Sequence, residues 1–153
     1  MANNPLYGSN KYDDKVGQIR KMRSVKAHGA LGGNLTLDID DMLNAVAISA
    51  DPAAARNIIP PTAALTVAGI KSHYGGKCEV GDTFQFSFIN VGSVGDDETC
   101  TMTAGTGYTV VGFADVENPV TTHDAFSVGS SLWAVQVTNA TSGSEACEIV
   151  RLA

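Results

Sequence analysis

The chain predicts a mainly β protein: a β-sandwich or jelly-roll-like body with one or two short helices, entered through an extended N-terminal arm. Three observations carry this. From residue 77 onward, short runs of alternating apolar and polar residues recur between turns rich in Gly, Ser and Asp, at the spacing of roughly 8–12 residues typical of sandwiches and barrels. The composition favours strands and turns over long helices, with 16 Gly and abundant Thr, Val and Ser. Residues 1–27, by contrast, have neither a helical nor a strand period.

In the arm, residues 1–27, Pro5, Gly8 and Gly17 interrupt any helix and the apolar side chains are scattered. Such a segment cannot bury enough apolar surface by itself to offset its ordering entropy. Its aromatic residues therefore point to packing on something else. The body, residues 28–153, begins at Gly29, Gly32 and Gly33, which read as a hinge. Leu35, Leu37 and Ile39 alternate with Thr36, Asp38 and Asp40, the pattern of a half-buried strand. Residues 41–50 suit a short helix, with Asp51-Pro52 ending it or starting a turn. Ala53 to Ile59 reads as a connection. Thr62 is placed to N-cap a helix running to about Ser72, and Gly75-Gly76 breaks it.

Thr83 to Asn90 is the clearest strand, with Phe84, Phe86 and Phe88 on one face and Gln85 and Ser87 on the other. Val91 to Asp97 is a turn. Glu98 to Ala104 sets Cys100 and Met102 against threonines. Gly105-Thr106-Gly107 reads as a tight hairpin turn into Tyr108 to Phe113, and then comes a loop with Pro119. Asp124 to Val128 and Ser131 to Asn139 are further strands, the second with Trp133, Val135 and Val137 on one face. A polar turn then leads to the final strand, Glu145 to Leu152.

A chain of 153 residues favours one domain and can bury a core without staples. Only 17% of residues are charged, low for a free monomer, which needs a well-solvated surface. The sequence therefore predicts assembly. No apolar run reaches the length of about 18 residues that a membrane span needs, and no membrane partner is expected. The N-terminus lacks a basic region followed by an apolar core, so a chain made and folded in a cytoplasm is expected. Cys78, Cys100 and Cys147 are odd in number, widely spaced and without a CxxC pair, which predicts free thiols in a core. Charge divides sharply: residues 1–27 hold six cations against two carboxylates, a net of +4, and residues 28–153 hold four against fourteen, a net of −10.

Catalytic chemistry finds little support. GTGYTVVG at 105–112 lacks the Lys-Ser/Thr pair of a phosphate loop and sits between strands. His28, His73 and His123 are far apart, with no metal-ligand spacing. The carboxylate clusters Asp38/Asp40/Asp41 and Asp96/Asp97/Glu98 do not match a calcium loop and read as solvated charges. No enzyme activity, catalytic residue, metal or cofactor is expected. The arm's cations are too few and too dispersed for nucleic acid, and the acidic body would be repelled by phosphate. An acidic protein surface fits better, because the arm's apolar residues would also be used. The candidate partner-binding residues are Leu6, Tyr7, Tyr12, Ile19, Arg20, Lys21 and Arg23.

Several motifs, taken in order, resemble those of virion proteins of tailed bacteriophages, including phages of marine and cyanobacterial hosts. They are Leu35-Thr36-Leu37, Asp51-Pro52-Ala53-Ala54-Ala55-Arg56-Asn57, Pro61-Thr62-Ala63-Ala64-Leu65, Val80-Gly81-Asp82-Thr83-Phe84, Phe88-Ile89-Asn90, Gly105-Thr106-Gly107, Val111-Gly112, Val135-Gln136-Val137-Thr138-Asn139 and Val150-Arg151-Leu152. Pro60 stands where Leu is more usual, and Gly95-Asp96-Asp97 lengthens one hairpin. The resemblance implies a capsid decoration or cement protein on the outer surface of the virion. Its implied partners are the major capsid protein and copies of itself, as a homotrimer in preference to a homodimer. The alternative is a tail fibre or receptor-binding knob that binds a host glycan or protein. A knob would show exposed aromatics in loops, and Trp133 would be its sugar platform rather than a core residue.

Overall fold

The computed structural model describes residues 25–92, 98–117 and 129–153. They form a mainly β body of two sheets with two short helices, as the alternating patterns predict. The chain runs β1 (Val25–Leu31), β2 (Leu35–Thr36), α1 (Ile39–Asn44), β3 (Ala47–Pro52), β4 (Arg56–Ile59) and α2 (Ala63–His73). It continues through β5 (Thr83–Asn90), β6 (Cys100–Met102), β7 (Tyr108–Val111), β8 (Asp115–Val116), β9 (Ser130–Asn139) and β10 (Ala146–Arg151). One sheet has six strands in the order β1-β3-β5-β9-β10-β7, and the other has four in the order β2-β4-β6-β8.

From β1 to β9 the chain changes sheet at every strand. Neighbours within a sheet are therefore joined by crossovers through the other layer. Such crossovers permit parallel pairing, which a tight hairpin cannot supply, although β6 and β8 still pair antiparallel. β1, β3 and β5 pair in parallel, as do β2, β4 and β6. β9 pairs antiparallel with β5 on one side and with β10 on the other. The expected hairpin at Gly105-Thr106-Gly107 is instead a passage from β6 in one sheet to β7 in the other. Gly107 takes φ +79°, and a Cβ there would lie 2.8 Å from both Ala63 Cβ and the Glu145 carbonyl. Only glycine suits that crossing.

Several stretches differ from expectation. Ala53 to Ile59, read as a connection, contains β4, which pairs with β2 and β6, and the loop after Phe113 contains β8, which pairs with β6. The alternation across Leu35 to Asp40 produces only two strand residues. Asp38 then accepts a hydrogen bond from the Asp40 N–H at 2.8 Å and N-caps α1. The cap, with Asp40 and Asp41 in the first turn, favours the helix start. Residues 47–52, read as part of a helix or a turn, form β3. Ala47, Ile48, Ser49 and Ala50 are all buried, and a parallel strand covered on both faces loses its period of two. Finally, β1 starts at Val25, so Val25, Lys26 and Ala27 pair with Ala47, Ile48 and Ser49. Those three residues belong to the sheet rather than to the arm, and Gly29 lies inside a strand. The expected strand at 124–128 falls outside the described residues.

One core serves both layers. It joins Phe86 and Phe88 of β5, Trp133, Val135 and Val137 of β9, and Ile149 of β10 to Ile58 of β4, Met102 of β6 and Val67 of α2. Phe86 lies directly opposite Trp133, an aromatic cross-strand pair at the centre of the larger sheet. Phe84 is only partly buried at the rim of this core. The α2 cap is as expected: Thr62 Oγ1 accepts from the Leu65 N–H at 3.3 Å. The helix stops at Tyr74, where Gly75 and Gly76 take φ of +79° and +87°. Gly69 lets α1 lean against α2, since a Cβ there would meet Ile39 Cγ1 at 2.5 Å.

Two buried polar links tie the layers together. Asn90 is 1% exposed. Its amide donates to the Glu98 carbonyl at 2.6 Å and the Val116 carbonyl at 2.9 Å, and its Oδ1 accepts from the Gly92 N–H at 2.9 Å. Thr66, on α2, donates to the Thr62 carbonyl and shares a 2.6 Å hydrogen bond with the Tyr108 hydroxyl. Burial raises the pKa of that phenol, so it stays protonated.

Candidate functional site

The candidate arm contacts Leu6, Tyr7, Tyr12, Ile19, Arg20, Lys21 and Arg23 lie outside the described residues. The described chain begins just after them with β1, a terminal strand of the six-stranded sheet. Of its seven residues, only His28 and Leu31 are even half-buried, and Val25 is 54% exposed. A parallel strand is ordinarily covered on both faces, whereas β1 is mostly exposed, with only His28 and Leu31 partly covered.

Lys26, His28 and Asp41 hold β1 against the body. Alternate strand residues share a face, so Lys26 and His28 both point to α1. There Lys26 Nζ lies 3.3 Å and His28 Nε2 3.7 Å from Asp41 Oδ2. Asp40, one residue earlier on α1, pairs with His73 Nε2 at 2.8 Å and so links α1 to the end of α2. The first carboxylate cluster is therefore not simply solvated: Asp38 caps, Asp40 joins the helices, and Asp41 anchors β1. His28 and His73 meet neighbouring positions of one helix, which spacing along the chain does not reveal. Among the described residues, no group of three or more His, Cys, Asp and Glu converges as a metal site. His123, Asp96 and Asp97 lie outside them, and Glu98 is buried.

Two further surfaces are apolar. Ile70, Tyr74, Asp82, Thr83 and Phe84 line an open cleft of about 270 Å³ between the end of α2 and the start of β5. Tyr74 is exposed beside it, as is Val80. The Asp82 carboxylate accepts from the Glu79 N–H at 2.8 Å, which fixes the turn rather than leaving that oxygen to a ligand. At the opposite edge of the larger sheet, Val111, Phe113 and Leu152 are exposed. The Arg151 guanidinium sits 5.7 Å from the Phe113 ring centre and 5.9 Å from that of Trp133, and it donates to the Asp115 carbonyl. Trp133 is itself fully buried, so it is a core residue and cannot serve as a sugar platform.

All three cysteines are free thiols. Burial pushes Cys100 and Cys147 up to about 11. It also raises Cys78, with the Asp82 charge adding to the effect. None is primed as a thiolate nucleophile. Two sheet edges thus carry exposed apolar side chains, and one of them follows the basic segment in sequence. The periodicity missed the β1 strand and its Asp41 anchor. The available signal was Lys26 and His28 at strand spacing ahead of a carboxylate-rich helix start. Compared with family models, curated proteins and solved structures, the chain matches none.

Proposed function

We propose that this chain is a virion structural protein that decorates or cements the outer surface of a bacteriophage capsid. It would bind the major capsid protein and copies of itself, as a homotrimer in preference to a homodimer. The observation that carries this reading is the charge division, which, with β1 counted in the body, is five cations against two carboxylates (+3) in residues 1–24 and five against fourteen (−9) in residues 25–153. The strand leading from that arm into the body, mostly exposed, supports it further. In this reading the arm runs along an acidic part of the shell through Arg20, Lys21 and Arg23, while Leu6, Tyr7, Tyr12 and Ile19 supply apolar contact.

A protein that binds the assembled shell, and not its unfolded subunits, stabilises the shell by mass action. Many copies, each with an arm tethered to a body, add avidity through effective concentration. Salt screens exposed charges beyond about 8–10 Å at ordinary ionic strength, so high salt loosens attachment while the apolar contacts persist. The test removes the protein from purified particles and compares heat-driven genome release with and without its return. The expected result is a higher release temperature for decorated particles and weaker rebinding by a chain lacking residues 1–24. Equal release temperatures overturn the cementing role and favour display or adhesion.

A further inference from the structure

We infer that β1 is an exchanged strand: in the oligomer, Val25–Leu31 of one copy completes the six-stranded sheet of the next copy by pairing with that copy's β3. The inference rests on the proposed function only in requiring that copies associate.

The first observation is the glycines that flank β1. Glycine is required where φ is positive or where a neighbour leaves no room for a Cβ. Gly32 and Gly33 meet neither condition. Neither has positive φ, and a Cβ on either would have nothing within 4 Å. The same holds for Gly29, where the β1 register shifts between His28 and Ala30. The folded body therefore does not need glycine at these positions. What glycine adds there is freedom for the chain to change direction between β1 and the fixed start of β2. That start is fixed at Asn34, whose Oδ1 accepts from the Asn57 N–H at 3.1 Å.

The second observation is the imbalance between β1 and its seat. β1 buries little of itself, yet β3 is buried at Ala47, Ile48, Ser49 and Ala50 and presents its ladder to β1. An empty β3 edge would leave backbone donors and acceptors unpaired at a core strand. The seat must be filled, but nothing in β1's own packing dictates which copy fills it. The Lys26 and His28 contacts to Asp41 are re-formed unchanged by a strand from a neighbour. Exchange then keeps every contact and alters only the hinge, which is why exchanging an identical element is a low-cost route to oligomers. The link between an exchanged β1 and the fixed Asn34 is Gly32-Gly33, which spans roughly 10 Å from Leu31 to Asn34 at about 3.3 Å per residue, so donor and acceptor bodies sit edge to edge. Each copy donates one strand and accepts one, and a closed ring or a reciprocal pair leaves no β3 edge empty.

The occupant of the β3 edge is a second copy of this chain, and cross-linking identifies it. Ala27 and Ser49 are Cα partners in the β1–β3 ladder and lie clear of the Asp41 anchor. The full chain carrying Ala27→Cys and Ser49→Cys, in a Cys78→Ser background, is oxidised and run on a denaturing gel without reductant. Disulfide-linked multimers that collapse to monomer on reduction are expected. Monomer alone, whether internally cross-linked or not, overturns the exchange. A second measurement needs no new cysteine. Gly32→Ala with Gly33→Ala leaves the fold intact, because open space surrounds both positions, and it should shift the oligomer-to-monomer ratio several-fold in sedimentation at fixed concentration. An unchanged ratio overturns the hinge role. Neither readout depends on shell binding, so failure here is distinct from failure of the cementing role.

Discussion

Replacing Asn90 with alanine removes a buried link between the two layers, and the structure sets its cost. Asn90 ends β5, and its side chain donates to the carbonyls of Glu98 and Val116 and accepts from the Gly92 N–H. Val116 belongs to β8, and Glu98 shortly precedes β6, so one side chain fastens the larger sheet to the smaller. Three hydrogen bonds at a net of about 1 kcal/mol each give about 3 kcal/mol. The carbonyls and N–H left behind add to this where water cannot reach them, so the expected loss is about 3–5 kcal/mol. The sole tryptophan, Trp133, is fully buried, and its fluorescence through a urea titration reads the loss directly. With a slope of about 1–3 kcal/mol per molar urea, the midpoint should fall by about 1 M or more. Asn90→Asp sharpens the argument. A carboxylate aimed at two carbonyls is disfavoured in the folded state, so its folded pKa lies above the unfolded one. The unfolded chain then holds fewer protons, and stability falls as pH rises through and above the ordinary carboxyl range near 4. A loss below about 1 kcal/mol for Asn90→Ala, or an Asn90→Asp variant that gains stability with pH, refutes the reasoning.

Phe86, 3% exposed and opposite Trp133, should cost about 3–5 kcal/mol as alanine; a loss under about 1 kcal/mol in the same titration would mean that this face is not core. Thr66→Val should cost about 1 kcal/mol by removing one of two partners of the Tyr108 hydroxyl, which also meets Cys147, and combining it with Tyr108→Phe should cost less than the sum of the single changes, so additive costs would contradict the shared hydrogen bond. With Cys100 and Cys147 pushed up to about 11 by burial and Cys78 half-buried, a colorimetric thiol reagent at pH 8 should modify Cys78 first in the folded chain, and all three thiols should react quickly only in denaturant. Rapid labelling of Cys100 or Cys147 in the native protein would contradict their burial.

The elements legible in the amino-acid order are those whose environment repeats with the backbone period. β5 buries one face, so Phe86 and Phe88 alternate with Gln85 and Ser87, and in the second half of β9 Val135 and Val137 alternate with Gln136 and Thr138. β10 reads the same way. The Thr62 cap and the Gly75-Gly76 stop of α2 are local chemistry, complete within a few residues. The division between a cationic arm and an acidic body is likewise present along the chain as a count of side chains. Other features exist only once the chain has folded. β3 is covered on both faces, so its run of small and apolar residues carries no period and reads as helix. The passage of the chain from sheet to sheet is invisible to local pattern, because a turn such as Gly105-Thr106-Gly107 has the same composition whether it closes a hairpin or crosses between layers. Asp41 is ordinary in sequence. It becomes an anchor because β1 and α1, separated along the chain by β2, meet in space and bring Lys26 and His28 to one carboxylate. A hydrophobic period records which faces avoid water, and it contains no term for which strand lies beside which.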